Sequence, residues 1–421
     1  MKQNSLSKYL YAFLLMVFSV NIGLSQTVYE NANYDFPDNP SNGNWQVGTN
    51  ANGVYYGDGN HEKIIQLMPG YTKKVYLKKN IQVTDRIFIG TSRLGGEYEN
   101  PRPATLEIYN GTDHDIHIYA YIYSNKNGSN VLFSVWKNAT LKIHGKPNAK
   151  IYLHGVNGHN SNGIWNYTIW GLIESTGNID FENVVIQDVT FSNYAYTIGS
   201  GSYHNQKDGD TAVFKLSPWT YNSVDNQVIN LGQGTTKLKN CRITNINNTD
   251  GGYASVLTTF GKPLTADGNN RTTNKITFEN VEIDHVNQNG YCLTRRYEKD
   301  ILDNSPHSAG LIRFRGAWVG DFDMINCSIH DNTSTGGDCA GVVWNAIGGG
   351  TETTMPLLTI KGCKFYNNTT AYDGGALKLE GRFKFDFGPN GEYNEIHHNT
   401  AERGGGVMIW GYPCSTCALY P

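Results

Sequence analysis

From Val75 onward the chain is written in short strand-like runs in which apolar positions recur every second residue: Val75-Tyr76-Leu77, Leu106-Glu107-Ile108 and Ile116-His117-Ile118, with Ile87-Phe88-Ile89 among them. A period of two predicts strands with one buried face. The runs return at longer intervals. Ala104-Thr-Leu-Glu-Ile108 comes back 35 positions later as Ala139-Thr-Leu-Lys-Ile143. Near the end one pattern stands twice, in Gly362 to Gly381 and in Tyr393 to Gly411. Phe365 maps to Ile396, while Ala371, Gly374, Gly375, Leu377 and Leu379 map to Ala401, Gly404, Gly405, Val407 and Ile409. Repeats of this length, each too small to bury its own apolar face, predict a solenoid of stacked coils.

One column of apolar residues runs through Ile186, Ile243, Ile283, Ile329, Phe365 and Ile396, at successive offsets of 57, 40, 46, 36 and 31. The longer offsets must hold insertions, such as Gly199 to Asp210 and Thr294 to Asp303. Three residues before each anchor stand Asn183, Asn240, Asn280, Asn326, Gly362 and Tyr393, mostly the residues of a turn entering a strand. Two before stand Val184, Cys241, Val281, Cys327, Cys363 and Asn394, which share the inward face with the anchors. Cysteine there reads as a small buried hydrophobe. A Cys327–Cys363 disulfide fits the coil spacing of ~4.8 Å, but buried thiols are the reading taken. Three after the anchor the column changes from Val189, Ile246 and Val286 to Asn332, Asn368 and Asn399, which predicts a stacked asparagine ladder. The glycine pairs predict positive φ or close backbone approach at another corner.

The composition agrees: 47 glycines and 27 tyrosines in 421 residues suit a turn-rich all-β chain. A net charge of -3 with 17% charged residues gives no broad footprint for nucleic acid. Residues 1–25 read as a secretory signal, with Lys2 and Lys8, an apolar stretch from Tyr9 to Val20, and small residues Gly23 and Ser25 before a cleavage point at Gln26. The apolar run is shorter than the ~20 residues of a membrane span, and no other stretch is long enough to be one. Residues 26–69 read as an N-terminal cap and 70–421 as the solenoid, ending without a recognisable C-terminal cap. The seven cysteines all lie in the later half, and their odd number argues against a complete disulfide framework. The Cys414-x-x-Cys417 pair alone is a weak metal signal.

The segments Asn368-Thr-Thr-Ala-Tyr-Asp-Gly-Gly-Ala-Leu377 and Asn399-Thr-Ala-Glu-Arg-Gly-Gly-Gly-Val407 resemble the repeat of the polymorphic outer-membrane proteins, and the match is partial at His330 to Trp344. The resemblance implies a right-handed parallel β-helix shown on or shed from a bacterial surface, in a family linked to adhesion and without shared catalytic residues. The expected chain is then a secreted or outer-membrane, cell-surface monomer that binds glycans or matrix proteins without catalysis.

The alternative is a polysaccharide lyase or hydrolase acting on acidic glycans. A lyase needs a base and a cation that neutralises the uronate carboxylate. Arg295, Arg296, Lys378, Arg382 and Lys384 are the candidates, and Ca²⁺ the one cofactor such an enzyme would invite; otherwise no cofactor and no metal site is expected. The acidic residues are scattered, which argues against a calcium cluster. Trp410, beside Ile409, is the candidate for stacking on a sugar ring. His285, His330, His397 and His398 fall just after their anchors, by one or two positions, and read as solvated turn residues.

Overall fold

The computed structural model of the chain describes residues 28–29, 54–59, 62–67, 70–83, 86–90, 103–120, 132–136, 138–155, 172–191, 213–216, 219–222, 227–230, 234–248, 255–259, 275–288, 310–314, 320–335, 339–344, 357–380, 384–386 and 393–410. Residues 1–25, expected to be a secretory signal, Cys292, Cys414 and Cys417, and the stretches 199–210 and 294–303, expected to be insertions, lie outside these.

Among the described residues every regular element is a strand. The strands fall into three long sheets of ten, eleven and eleven members, with one small hairpin of Trp219–Asn222 and Gln227–Asn230 apart from them. The chain visits the three sheets in rotation: Ala104–Asn110 lies in the first, Ile116–Ala120 in the second and Phe133–Val135 in the third. The next circuit repeats the order with Ala139–His144, Ile151–Gly155 and Ile173–Ser175. Apart from one hairpin at the N-terminal end, neighbours within each sheet pair in parallel, so the described residues stack as the coils of a parallel β-solenoid, about ten of them. At the N-terminal end Val54–Gly59 and Glu62–Leu67 form an antiparallel hairpin, and the second of these strands starts the parallel run of the third sheet.

Register follows the sequence columns. Ala104 to Ile108 pair position by position with Ala139 to Ile143. Ile186, Ile243, Ile283, Ile329, Phe365 and Ile396 each stand opposite the next. Leu377 and Leu379 pair with Val407 and Ile409. A period of two on a parallel sheet sends these side chains into one core, where Ile243, Ile329 and Phe365 are fully buried. The expected turn column is real: Asn183, Asn240, Asn280 and Asn326 have φ between 52 and 54°, and Gly362 has 63°. Glycine fits it because it has no Cβ to clash, and asparagine because its short polar side chain bonds locally and tolerates this region. Two residues past each anchor lies a second left-handed column that the sequence does not announce, made of Asp188, Asn245, His285, Asp331, Asn367 and His398.

The glycine pair divides its labour. Gly374 and Gly404 take φ of 64 and 60°, whereas a Cβ on Gly375 would collide with the Gly405 carbonyl of the next coil. The asparagine ladder also forms. Asn332 Nδ2 donates to Asn368 Oδ1 at 3.0 Å, and Asn368 Nδ2 donates to Asn399 Oδ1 at 2.9 Å.

Cys241, Cys327, Cys339 and Cys363 are free, buried thiols. Burial pushes the Cys241 thiol up to about 12, and the hydrogen bond to Cys363, with burial, raises that of Cys327. The hydrogen bond with Cys327 lowers the Cys363 thiol instead, so what the four share is burial: none exposes its sulfur to a reagent, and all four are expected to resist a maleimide in native buffer at neutral pH and to react once the chain is denatured. Peptide mapping after a short labelling pulse checks this; native labelling of any of the four would contradict the buried column.

Candidate functional site

The outer face of the second sheet gathers four of the eight described histidines, His117, His154, His330 and His397. Eight of its strands, from Ile116–Ala120 to Glu395–His397, place two outward columns in register. The residue after each anchor gives Tyr119, His154, Gln187, Thr244, Asp284, His330, Tyr366 and His397. The residue before it gives His117, Tyr152, Val185, Arg242, Glu282, Ser328, Lys364 and Glu395. Side chains two apart on a strand share this face, and the coil spacing of ~4.8 Å brings equivalent positions into contact.

At the N-terminal end of the face four rings form a two-by-two block. His117 stacks on Tyr152 with centroids 4.7 Å apart, and Tyr119 stacks on His154 at 4.6 Å. His117 Nδ1 lies 2.9 Å from His154 Nε2, and His154 Nδ1 lies 2.8 Å from Asp188 Oδ2. Asp188, in the second left-handed column, also accepts from Gln187 Nε2 and Asn245 Nδ2. Burial acts to raise its carboxyl, but the hydrogen bonds from Asn245, His154 and Gln187 outweigh this and hold it below the usual carboxylate range. Burial lowers His117, the neighbouring His154 imidazole adds to the effect, and the Asp115 carboxylate opposes it.

The middle of the face is a closed charge network. Arg242 donates from Nε and Nη2 to the two oxygens of Asp284 at 2.8 and 2.7 Å, a bidentate pair. Thr244 Oγ1 adds a third bond and His285 Nδ1 a fourth, so a fully buried carboxylate sits on the outer side of a sheet. Burial works against its ionisation, yet these partners keep it below the usual range. In the next coil His330 places Nδ1 2.7 Å from Asp331 and Nε2 3.2 Å from Glu282. His330 is therefore no solvated turn residue. It stacks face to face under Tyr366 at 4.6 Å, and Tyr366 stacks in turn on His397 at 5.3 Å. His285, His397 and His398 are exposed as expected.

Asp188 and Asp284 have depressed pKa values, and the hydrogen bond from His330 depresses Asp331 as well. A carboxylate lowered in the folded state adds stability above its unfolded pKa of about 4, and the contribution is lost as pH falls through the folded value. The denaturant midpoint is thus expected to hold steady from neutral pH to about 5 and to fall below about 4. Asp284→Asn is expected to flatten that fall, as unfolding titrations at stepped pH would record; an unchanged slope would remove Asp284 from the account.

The sequence-derived candidates scatter. Arg295, Arg296 and Arg382 lie outside the described residues. Lys384 opens the strand Lys384–Asp386 of the first sheet, and Trp410 ends Val407–Trp410 of the third, opposite Glu380; their side chains lie outside the described part. Lys378 is on the third sheet, fully buried, with Nζ 3.4 Å from a fully buried Asp373. The structure therefore does not bring Lys378 to the second-sheet face, and its ammonium meets a carboxylate of its own chain. The ring block escapes the sequence reading because the anchor column there begins at Ile186, whereas Leu153 and Ile118 continue it towards the N-terminus. Ile-His-Ile-Tyr-Ala at 116–120 and Ile-Tyr-Leu-His-Gly at 151–155, with His and Tyr exchanged, are the signal that could have found it.

Among the described residues no three His, Cys, Asp or Glu side chains gather as a metal ion would require, and no helix is long and apolar enough to cross a membrane. No family model matches the chain, and no curated protein matches it. Among solved structures it is similar to the GH136 lacto-N-biosidase from Eubacterium ramulus, at 10% identity and a TM-score of 0.19, over 82% of this chain and 63% of that one.

Proposed function

We propose that the chain is a secreted or surface-displayed, right-handed parallel β-helix that binds an extended polysaccharide or matrix polymer along the outer face of its second sheet, in the manner of an adhesin. In this reading the antiparallel hairpin at 54–67 belongs to an N-terminal cap, residues 1–25 direct export, and the protein acts at the bacterial cell surface or in the extracellular space. The observation that carries the reading is the pair of outward columns, which hold one register through eight successive coils. A straight, repeating row of polar and aromatic side chains matches a polymer that is itself a repeat. Cations and carboxylates along the row satisfy one another, Arg242–Asp284 in its middle and Lys364–Glu395 at its C-terminal end, which suits a neutral or weakly charged ligand. Tyr and His present apolar ring surface with a polar edge, a pairing suited to sugars.

Sedimentation of the full chain with insoluble polysaccharides, together with a soluble glycan and matrix-protein panel, tests the proposal. Tyr366→Ala combined with His397→Ala is expected to weaken binding by about tenfold, or roughly 1.4 kcal/mol. Binding that survives this change, or no binding across the panel, would overturn it. Unsaturated uronate ends appearing in the same incubations would instead favour the lyase alternative.

A further inference from the structure

The ring block at one end of the face goes beyond binding. Asp188 fixes His154 through Nδ1, so with both rings neutral the His154 Nε2 lone pair accepts the Nδ1 proton of His117. The remaining nitrogen of His117, Nε2, is then an unprotonated acceptor. Among the described residues nothing hydrogen-bonds to it, and the ring is half-buried at the face, not sealed beneath it. A carboxylate orienting an imidazole is the arrangement that makes a general base. Here a second imidazole extends it, and the three groups come from three successive coils.

We infer that His117 is a general base for the hydrolysis of an acyl ester carried by a polymer bound along this face, with His154 and Asp188 as positioning residues; the inference rests on the binding reading above.

The chemical class follows from what surrounds the ring. Glycoside hydrolysis calls for two carboxyl groups flanking the bond. The carboxylates nearest the block are already engaged: Asp188 with His154, Gln187 and Asn245, and Asp115 with the Lys150 backbone N–H and the Tyr152 phenol. Elimination from a uronate calls for a cation at the substrate carboxylate; Arg242, whose charge reaches Tyr152 of the block, already gives its Nε and Nη2 to Asp284, and Asp115 and Asp188 add negative charge at this end. A neutral ester meets neither obstacle. In the step, His117 Nε2 takes a proton from water as the water oxygen bonds to the acyl carbon and the carbonyl electron pair moves onto its oxygen. On collapse the bond from acyl carbon to sugar oxygen breaks, and that oxygen takes the proton back from Nε2. A carboxylic acid and a sugar hydroxyl result, with no redox partner required. The transient imidazolium keeps its Nδ1–H on His154, whose own Nδ1–H is held by Asp188. The lowered proton affinity of His117, set by burial and by His154 with Asp115 opposing, keeps the ring neutral and ready at pH 7. The other rings facing it are Tyr119 on its own strand and Tyr152 on the next.

The experiment uses the full chain, p-nitrophenyl acetate as a small ester, and an O-acetylated xylan as a polymer. His117→Gln is expected to lower kcat/KM at least about 100-fold on both. Asp188→Asn is expected to lower kcat about tenfold or more with KM unchanged, and to move the pH midpoint of the rate, which a merely structural role would leave in place. A His117→Gln rate equal to that of the unsubstituted protein, or an unsubstituted rate no faster than matched free imidazole, would overturn the inference. Because a variant can fail to fold, nitrogen NMR on the unsubstituted protein supplies a second reading: His117 is expected as the neutral Nδ1–H tautomer, and an Nε2–H tautomer would overturn the relay. Polymer sedimentation on the same samples separates the two proposals. Binding without ester cleavage removes the base and leaves the binding face. Cleavage of the small ester without polymer binding supports the relay and overturns the binding reading.

Discussion

Replacing Asp373 by alanine is expected to lower the unfolding free energy by about 3–5 kcal/mol, the range for breaking one side of a buried ion pair. The carboxylate sits at the glycine-pair corner with no exposed surface, and the Lys378 ammonium facing it at 3.4 Å is equally buried. Arg403 of the next coil reaches the same carboxylate, with Nη2 at 3.0 Å and Nε at 2.6 Å. Removing Asp373 takes away the anion both cations face, and the Lys378 charge then stays in the low-dielectric interior. The counterpart is a double variant, Asp373→Leu with Lys378→Met, which removes both charges and fills similar volume. Replacing a whole buried pair is often neutral, so the double variant is expected to recover most of what Asp373→Ala loses. Denaturant midpoints of the variants measure this. A single substitution costing under about 1 kcal/mol would place the pair among exposed ion pairs, whose worth is of that size.

The contrast with surface pairs follows from burial alone. Lys364–Glu395, at 2.9 Å, is the shorter contact, yet both side chains are about half exposed and water screens them. Distance by itself does not rank these interactions.

Lys378 also marks where sequence reading stops. The strands, their stacking into coils and most columns are legible because each coil writes the same small set of residues at the same offsets. Asparagine or glycine stands at the left-handed turn, Val or Cys two before the anchor, and an aliphatic or Phe at the anchor itself. A period that local sterics and the core both demand is readable without a structure. Lys378 reads as a groove cation because strand alternation points it away from the core, as Val343 of the preceding coil also points. Both are nevertheless fully buried, and one-coil periodicity carries no record of what covers the outside of a sheet. The His117–His154–Asp188 array is illegible for a related reason. Its members lie 37 and 34 positions apart, and three before their anchors Ile118 and Leu153 stand Asp115 and Lys150 where the later coils, from Asn183 on, mostly have asparagine; only the register through Ile118, Leu153 and Ile186 aligns them. His330 shows the third limit. Its place after the anchor suggests solvent, but the Tyr366 ring that covers it belongs to the next coil.

Asn368→Ala carries the second large effect, expected at about 3–5 kcal/mol from the bonds it removes and the buried groups it strands. Its side chain is fully buried and makes bonds in both directions along the stack. Nδ2 donates to the Ile329 carbonyl at 2.9 Å and to Asn399 Oδ1 at 2.9 Å, while Oδ1 accepts from Asn332 Nδ2 at 3.0 Å and from the Asn332 backbone N–H at 3.3 Å. Each hydrogen bond is worth roughly 1 kcal/mol net, and each buried group left unmade costs about 1–3 kcal/mol. Alanine thus removes the partner of a buried carbonyl and of a buried N–H at one stroke. Asn368→Asp is expected to be as damaging despite its shape, because an ionised carboxylate cannot donate to Ile329 or Asn399. Asn399→Ala is expected to cost less, about 1–2 kcal/mol, since Asn399 is half-exposed and water can replace part of what it gives. The rungs share bonds, so Asn332→Ala with Asn368→Ala is expected to cost less than the two singles added, with a coupling of at least about 0.5 kcal/mol. Additive losses would mean that each asparagine serves only its own turn. A shared loss means that a sequence of isolated corner residues becomes a continuous interior polar column, and that the coils are held together at this corner by side chains where, in Val189, Ile246 and Val286, apolar contact does the same.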